Sequence, residues 1–393
     1  MHVATIPMTL EILMDGQIRF MKERGFEVIA VSSPGDGLSR LAARDGVKVY
    51  AVPMARGIAP IADLKALFRL WRLMIRLRPD IVHASTGKAG PLATLAATLA
   101  RVPVKIYLLR GLMMDRRDGL AKRLLASIEW ATCRAADRVL AVSRSVADVV
   151  IRQGLCPAEK IAVPGKGGSN GVDAEGRFNR DRLDPRARAA FRGQYDIPLD
   201  AVVICYVGRV VAGKGVAELA AAWQTIRELR RDAFLVIAGP SEAQDPVPEH
   251  ALGLLENDKR VVMTGYVPHE LLPNLYAAAD IVVLPSYSEG LPNVPLEAGA
   301  MELPVVATSV TGCVDAVVHG ATGTLVPVKD PVELARAIGT YIDSPELRSM
   351  HGKAGRDRAL MDFRPAPIWE AVYEEYERLL RNSGRCLPAE RRT

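Results

Sequence analysis

The chain has 393 residues, 49% hydrophobic and 24% charged, a balance that excludes a disordered chain and suits two or at most three domains. Its formal charge of +6 is uneven: residues 1–175 hold 26 Lys and Arg against 16 Asp and Glu, a formal +10, and the remainder 25 against 29, a formal −4. Apolar runs such as 281–285 fall far short of the roughly 20 residues that span a bilayer, and the first residues lack the basic-then-apolar order of a secretory leader, so neither a membrane-spanning nor an exported chain is expected.

In chain order, a short opening strand at residues 1–5 is followed by apolar, β-branched runs that predict strands at 28–32, 47–52, 80–84, 104–109, 138–142 and 161–163. Helical periods lie between them near 15–24, 62–78, 88–101, 119–135 and 145–153. Both rhythms break from Gly165 to Arg188, a Gly-rich and then polar stretch that reads as a linker. They resume with strands at 202–207, 234–238, 260–264, 280–285, 304–307 and 324–326 and helices near 215–230, 268–279, 295–301, 330–342 and 345–361. A last helix near 365–381 runs into a short basic tail. Continuously apolar strands alternating with helices imply parallel sheets covered on both faces. The expected class is α/β, with doubly wound Rossmann-like domains at 1–175 and 176–364 facing a central cleft, and a segment 365–393 packing back toward the first domain.

Two basic stretches stand out in the first half. Arg69, Arg72, Arg76 and Arg78 interleave with Leu70, Trp71, Leu73, Met74, Ile75 and Leu77, and Arg116, Arg117, Lys122 and Arg123 follow Leu112, Met113 and Met114. Such stretches either hold a protein on an anionic bilayer or form helices with a buried apolar face and a solvated arginine face. The acidic second half and the lack of a recognition motif exclude nucleic acid as a partner. Five scattered cysteines without a C-x-x-C pair read as reduced thiols, and six dispersed histidines show no ligand spacing, so no metal is expected.

Chemistry concentrates in two loops of the second half. The run G-R-V-V-A-G-K-G at 208–215 follows a strand and precedes a helix. Gly208 there lets the backbone approach a ligand, the helix start offers N–H groups to an anion, and Arg209 and Lys214 add mobile charge. Gly208, Gly213 and Lys214 fit G-x-x-x-x-G-K, but Gly215 stands where a P-loop needs a magnesium-binding hydroxyl. A metal-free diphosphate clamp remains, alongside a plain glycine-rich turn. The run S-Y-S-E-G-L-P-N-V-P-L-E at 286–297 places Glu289 on a loop and Glu297 about a turn into the next helix. N–H groups around Gly290, Leu291 and Asn293 face a phosphate in this arrangement, whereas Pro292 has none to give. Carboxylates accept two vicinal hydroxyls well, so a sugar and a ribose fit better than a metal.

Taken together, a Gly-Arg turn with its lysine and a strand–loop–helix bearing E-x7-E resemble the family four retaining glycosyltransferases of GT-B fold, and the resemblance covers nearly the whole chain. Asp280-Ile-Val-Val-Leu-Pro-Ser286, Pro304-Val-Val-Ala-Thr308, Gly312, Thr322-Gly323 and Asn170-Gly-Val-Asp173 are similar to the same family. The resemblance implies that Arg209 and Lys214 neutralise the donor diphosphate, that Glu297 holds the ribose hydroxyls and that Glu289 contacts the transferred sugar beside its anomeric carbon. It implies too that Tyr266 and Val267 hold the base mainly by backbone contacts, and that Val294 belongs with the donor-binding loop.

In the first half, Asp80-Ile-Val-His83-Ala-Ser85-Thr-Gly-Lys88-Ala-Gly90 resembles the H-A-x-x-x-K-A-G segment of bacterial relatives that build capsule, exopolysaccharide and O-antigen repeats, and Glu27-Val-Ile-Ala-Val-Ser-Ser-Pro-Gly35 is also similar to theirs. His83 and Ser85 leave a strand end and Lys88 opens a helix, which makes all three acceptor-side candidates. A histidine satisfied inside the fold and a solvated helix lysine are the other readings. Two departures are visible. Many relatives carry P-H-G where this chain has Leu109-Arg110-Gly111, so Arg110 takes the place of a sugar-contacting histidine. Arginine is no base, but it stabilises a phosphate or a sugar hydroxyl. A glycine-rich first loop is replaced by Pro7-Met8-Thr9-Leu10. The expectation is a retaining hexosyl- or N-acetylhexosaminyltransferase needing no cofactor. Its donor is a nucleotide sugar, UDP-linked, and its acceptor a polyprenyl-diphosphate-linked saccharide at the cytoplasmic face of an anionic membrane. A UDP-sugar 2-epimerase-like isomerase and a catalytically silent nucleotide-sugar-binding protein remain as rival readings.

Overall fold

The structure, a computed structural model, describes residues 1–55, 57, 59–112, 114 and 119–386. They form two compact units, Met1–Gly171 together with the segment from Pro365, and Val172–Arg364. The chain passes from the first to the second once and returns once. The boundary falls inside the Gly-rich stretch, yet its second part is no free linker: Val172, Ala174 and Phe178 are buried in the core of the second unit.

The first unit holds a parallel sheet of seven strands among the described residues. These are β1 (His2–Val3), β2 (Ile29–Ser32), β3 (Lys48–Ala51), β4 (Ile81–Ser85), β5 (Val104–Leu109), β6 (Arg138–Ala141) and β7 (Ile161–Ala162), in the order β3-β2-β1-β4-β5-β6-β7. The second unit holds six: β8 (Val202–Val207), β9 (Ala233–Ala238), β10 (Val261–Gly265), β11 (Ile281–Leu284), β12 (Val305–Thr308) and β13 (Gly323–Val326), in the order β10-β9-β8-β11-β12-β13. Both are doubly wound, and the order reverses between β1 and β4 and between β8 and β11. In such sheets the crevice beyond the carboxyl ends of the strands at the reversal is where ligands bind.

The continuous apolar runs follow from burial on two faces. In β8, Val203, Cys205 and Val207 enter one core cluster while Val202, Ile204 and Tyr206 enter the opposite one, and in β11 Val282 and Leu284 part from Ile281 and Val283 in the same way. Period-two alternation with both faces apolar is what helices on each side require. Sequence periodicity passes over helices Asp36–Asp45, Ala187–Gln194 and Glu249–Glu256, each of ten residues or fewer and polar on much of its surface.

Candidate active site

At the reversal in the second unit, β8 ends in a turn held by its own strand and by β9: the Tyr206 hydroxyl donates to the Arg209 carbonyl at 2.7 Å, and Gly208 N–H donates to Ala238 O at 2.9 Å. A 3-10 turn, Ala212–Lys214, then leads into helix Val216–Leu229. Asp245 pins that turn, its carbonyl accepting from Ala212 N–H at 3.0 Å and its carboxylate from Gly213 N–H at 3.1 Å. Gly215 has a φ of +71°, and a Cβ there would lie 2.0 Å from the Pro285 carbonyl oxygen. Only glycine lets this loop pass so close to the end of β11.

The loop after β11 is tied to the first by Tyr287 N–H donating to Gly213 O at 3.1 Å. Here Lys214 Nζ and Glu289 Oε1 pair at 2.5 Å, with side chains only 15% and 11% exposed. Gly312, with φ +80°, supports the loop from the β12 side, since a Cβ there would meet the Gly290 oxygen at 2.3 Å. Arg209, more open to solvent, pairs with Glu242 at 2.7 Å. Each of the two cations is therefore matched by one acid among the described residues. Burial, and next the neighbouring Glu289 carboxylate, raise the Tyr206 phenol and the Cys313 thiol well above their usual ranges, which keeps both protonated.

Glu297 sits a turn into helix Asn293–Ala300, buried, with Oε2 accepting from the Tyr276 hydroxyl at 2.9 Å and Oε1 3.6 Å from His269 Nε2. Tyr266 stands exposed just beyond β10, with Val267 packed on the core beside it. Leu291 and Val294 also turn their side chains to that core, and Asn293 opens the helix. Sequence reasoning missed Glu242, Asp245, Tyr276 and His269, because only the strand order brings them beside residues 21 to 33 positions away.

In the first unit the reversal between β1 and β4 brings Thr5 and Thr86 together, hydroxyl to hydroxyl at 2.6 Å, with Thr86 at a φ of +78°. Lys88 is not a solvated helix charge: it pairs with Asp63 at 2.6 Å, both largely covered. His83 and Ser85 do not open to a substrate as expected. His83 is buried, its Nδ1 sharing a 2.5 Å hydrogen bond with the Tyr376 hydroxyl, and Ser85 donates to Val3 O at 3.4 Å. His83 points to the last helix that covers the sheet, whereas Ser85 turns to the neighbouring strand β1. Arg110 donates through one terminal nitrogen to Ser169 Oγ at 2.8 Å, while its buried Nε and Nη2 have no partner among the described residues. Burial lowers this guanidinium to about 10, so it stays charged at neutral pH.

The basic stretches also resolve. On helix Pro60–Leu77, Leu70, Leu73 and Met74 are buried, but Ile61, Leu64, Phe68 and Ile75 are exposed beside Lys65, Arg69, Arg72 and Arg76, with Arg78 exposed at the helix end. Helix Ala89–Leu99 packs against it and against helix Gly119–Ala135, on which Leu120, Leu124, Ile128 and Trp130 are exposed near Lys122, Arg123 and Arg134. The acids on these three helices are Asp63, held by Lys88, and buried Glu129, so the exposed charge is wholly basic. Met113, Arg116 and Arg117 lie outside the described residues. No helix among those described is long and apolar enough to cross a membrane.

Residues 187–358 match the family described as Glycosyl transferases group 1, and residues 15–166 match a Glycosyl transferase 4-like domain. The chain is 32% identical over 383 residues to the capsular polysaccharide biosynthesis glycosyltransferase CapM of Staphylococcus aureus, covering 97% of each. It is 27% identical to the UDP-Gal:alpha-D-GlcNAc-diphosphoundecaprenol alpha-1,3-galactosyltransferase of Escherichia coli, over 78% of each chain. Among solved structures, Anabaena Alr3699/HepE in complex with UDP and glucose superposes with a TM-score of 0.79 at 20% identity, covering 96% of this chain and 98% of that one.

Proposed function

We propose, for a chain that belongs to the glycosyl transferases group 1 family and has the GT-B fold of two Rossmann-like units, that it moves a sugar from a UDP-sugar to a lipid-linked saccharide in surface polysaccharide assembly, with retention of anomeric configuration. The observation that carries the reading is the Lys214–Glu289 pair at the strand-order reversal, with Arg209 on the same loop and Glu297 on the helix that follows. In this mechanism Arg209 and Lys214 take up the leaving diphosphate. The bond from the anomeric carbon to the phosphate oxygen breaks as the bond to the acceptor oxygen forms on the same face, and the acceptor proton passes to the departing phosphate. Glu289, relieved of Lys214, stabilises the positive charge that develops at the anomeric carbon. Glu297 holds the ribose. Two basic side chains do the neutralising here, so no metal is required.

The UDP donor is supported by the UDP-Gal of the Escherichia coli relative and the UDP of the Anabaena complex, and the lipid-linked acceptor by that relative's diphosphoundecaprenol substrate. The basic, apolar-studded face of the first unit suits a peripheral position on the cytoplasmic side of an anionic membrane, where such an acceptor is presented. Arg110 and Lys88 are the acceptor-side residues this reading retains.

Removing one preorganised charge from a transition state costs on the order of 3–4 kcal/mol, so Arg209→Ala or Lys214→Ala is expected to cut turnover 100-fold or more with the fold intact. The test offers labelled nucleotide sugars with bacterial lipid extract in chelator and follows lipids and nucleotides by mass spectrometry. A lipid-borne saccharide that gains one sugar without metal meets the expectation. An epimerised donor with unchanged lipid, or near-normal transfer in both variants, overturns it.

A further inference from the structure

We infer that His269 is a positioning residue that sets the orientation of the Glu297 carboxylate for a ribose. The inference rests on the reading of Glu297 as the ribose contact and goes beyond it, since His269 belongs to neither motif loop. Four elements of the second unit converge here. Arg177 comes from the segment that opens the unit, His269 from the turn after β10, Tyr276 from helix Leu272–Ala278 and Glu297 from helix Asn293–Ala300.

An Arg177 terminal nitrogen lies 2.8 Å from His269 Nδ1. A guanidinium has only donors, so Nδ1 accepts and the ring's N–H is left on Nε2. That N–H is the side turned to Glu297 Oε1, at 3.6 Å. Oε2 is meanwhile fixed by the Tyr276 hydroxyl at 2.9 Å. Phe178 packs edge-on against both rings, with centroids 5.7 Å from His269 and 6.1 Å from Tyr276, which limits their movement. The carboxylate is therefore anchored at one oxygen and drawn at the other by a dipole too distant to occupy its lone pairs. Oε1 keeps its acceptor capacity for hydroxyls while its rotation is restrained. A histidine that served packing alone would have no need of a guanidinium dictating which nitrogen carries the proton.

The test compares the affinity of the full chain for UDP and for 2′,3′-dideoxy-UDP, with GDP and its dideoxy analogue alongside, and takes the ratio on the base that the wild type binds. Hydrogen bonds to a carboxylate set the expected wild-type preference for the ribonucleotide at about tenfold or more. Glu297→Gln should abolish most of that preference. His269→Ala should reduce it about three- to tenfold by weakening the ribonucleotide alone, and His269→Gln, which returns an N–H near the Nε2 position, should restore much of it. Equal weakening of both nucleotides in His269→Ala, or no change, overturns the positioning role while leaving the ribose contact standing. A preference that Glu297→Gln does not alter, or no binding of either nucleotide, defeats the ribose reading and the inference with it.

Discussion

Two covered arginines show how differently one side chain is used. Arg192, fully buried, spends every nitrogen: on the carbonyls of Ala278, Pro198, Leu199 and Ala201 and on the Asp280 carboxylate at 2.8 Å. It ties helix Ala187–Gln194 to the start of β11. Among the described residues, Arg110 makes one hydrogen bond and leaves two buried nitrogens without a partner. An orphaned buried donor costs about 1–3 kcal/mol, a burden that an anion bound there would remove. Arg110→Met is therefore expected to raise the melting temperature by a few degrees, about 2 kcal/mol at the midpoint of a domain this size. Transfer should fall at least tenfold. A lower melting temperature would show that the guanidinium is a structural support after all.

At the scale of elements, strand β4 and the last helix, Pro365–Asn382, are joined through His83 and Tyr376. Burial first, then the Arg110 charge and the N-terminal ammonium, lower the His83 ring from 6.5 to about 3. The unfolded chain thus takes up this proton before the folded one does. The contribution is whole above pH 6.5 and is lost as pH falls toward 3, at about 1.4 kcal/mol per pH unit. Thermal melts of His83→Asn, which keeps a polar partner for Tyr376, should show a flatter acid limb across that interval; a limb as steep as the wild type's would rule the ring out as its source. The strands themselves were legible because runs such as Val202–Val207 are apolar on both faces. The loops at 208–215 and 286–297 were legible because their glycines and charges are consecutive. What could not be read was direction: periodicity finds an apolar stripe on Pro60–Leu77 but cannot say that Leu64 and Phe68 face out while Leu70 and Met74 face in. Nor does it separate Arg110 from Arg192, or reveal that Asp63 holds Lys88.

For the whole molecule, the uneven charge of the sequence becomes a surface on the first unit, where exposed leucine, phenylalanine and tryptophan side chains stand among cations. Each Lys or Arg near an anionic bilayer contributes about 1 kcal/mol. Vesicles of phosphatidylcholine with phosphatidylglycerol should sediment the protein, and vesicles of phosphatidylcholine alone should do so weakly. Joint substitution of Arg69, Arg72 and Arg76 by Glu is expected to weaken binding about 100-fold or more, and high salt should mimic it. Joint substitution of Leu64, Phe68 and Leu124 by Ser should weaken it without removing the salt dependence. Absence of binding at low and high salt alike would argue for a soluble acceptor.

The same helix that meets His83 also brings Trp369, whose indole N–H donates to Asn170 Oδ1 at 2.7 Å and whose ring closes over Gly16. Leu379 and Leu380 complete its buried face. The unit that leaves the ribosome first is consequently the one finished last. Its sheet must wait, with His83 and the loop at Asn170 uncovered, while residues 172–364 are translated, about 10 to 40 s at the usual elongation rates. The intervening unit is a single uninterrupted stretch and can complete its own core as soon as its last residues, with Ala359 and Phe363, emerge. Nascent chains stalled with residue 364 clear of the ribosome and the last helix still inside it should then protect the second sheet from protease and leave the first open to it.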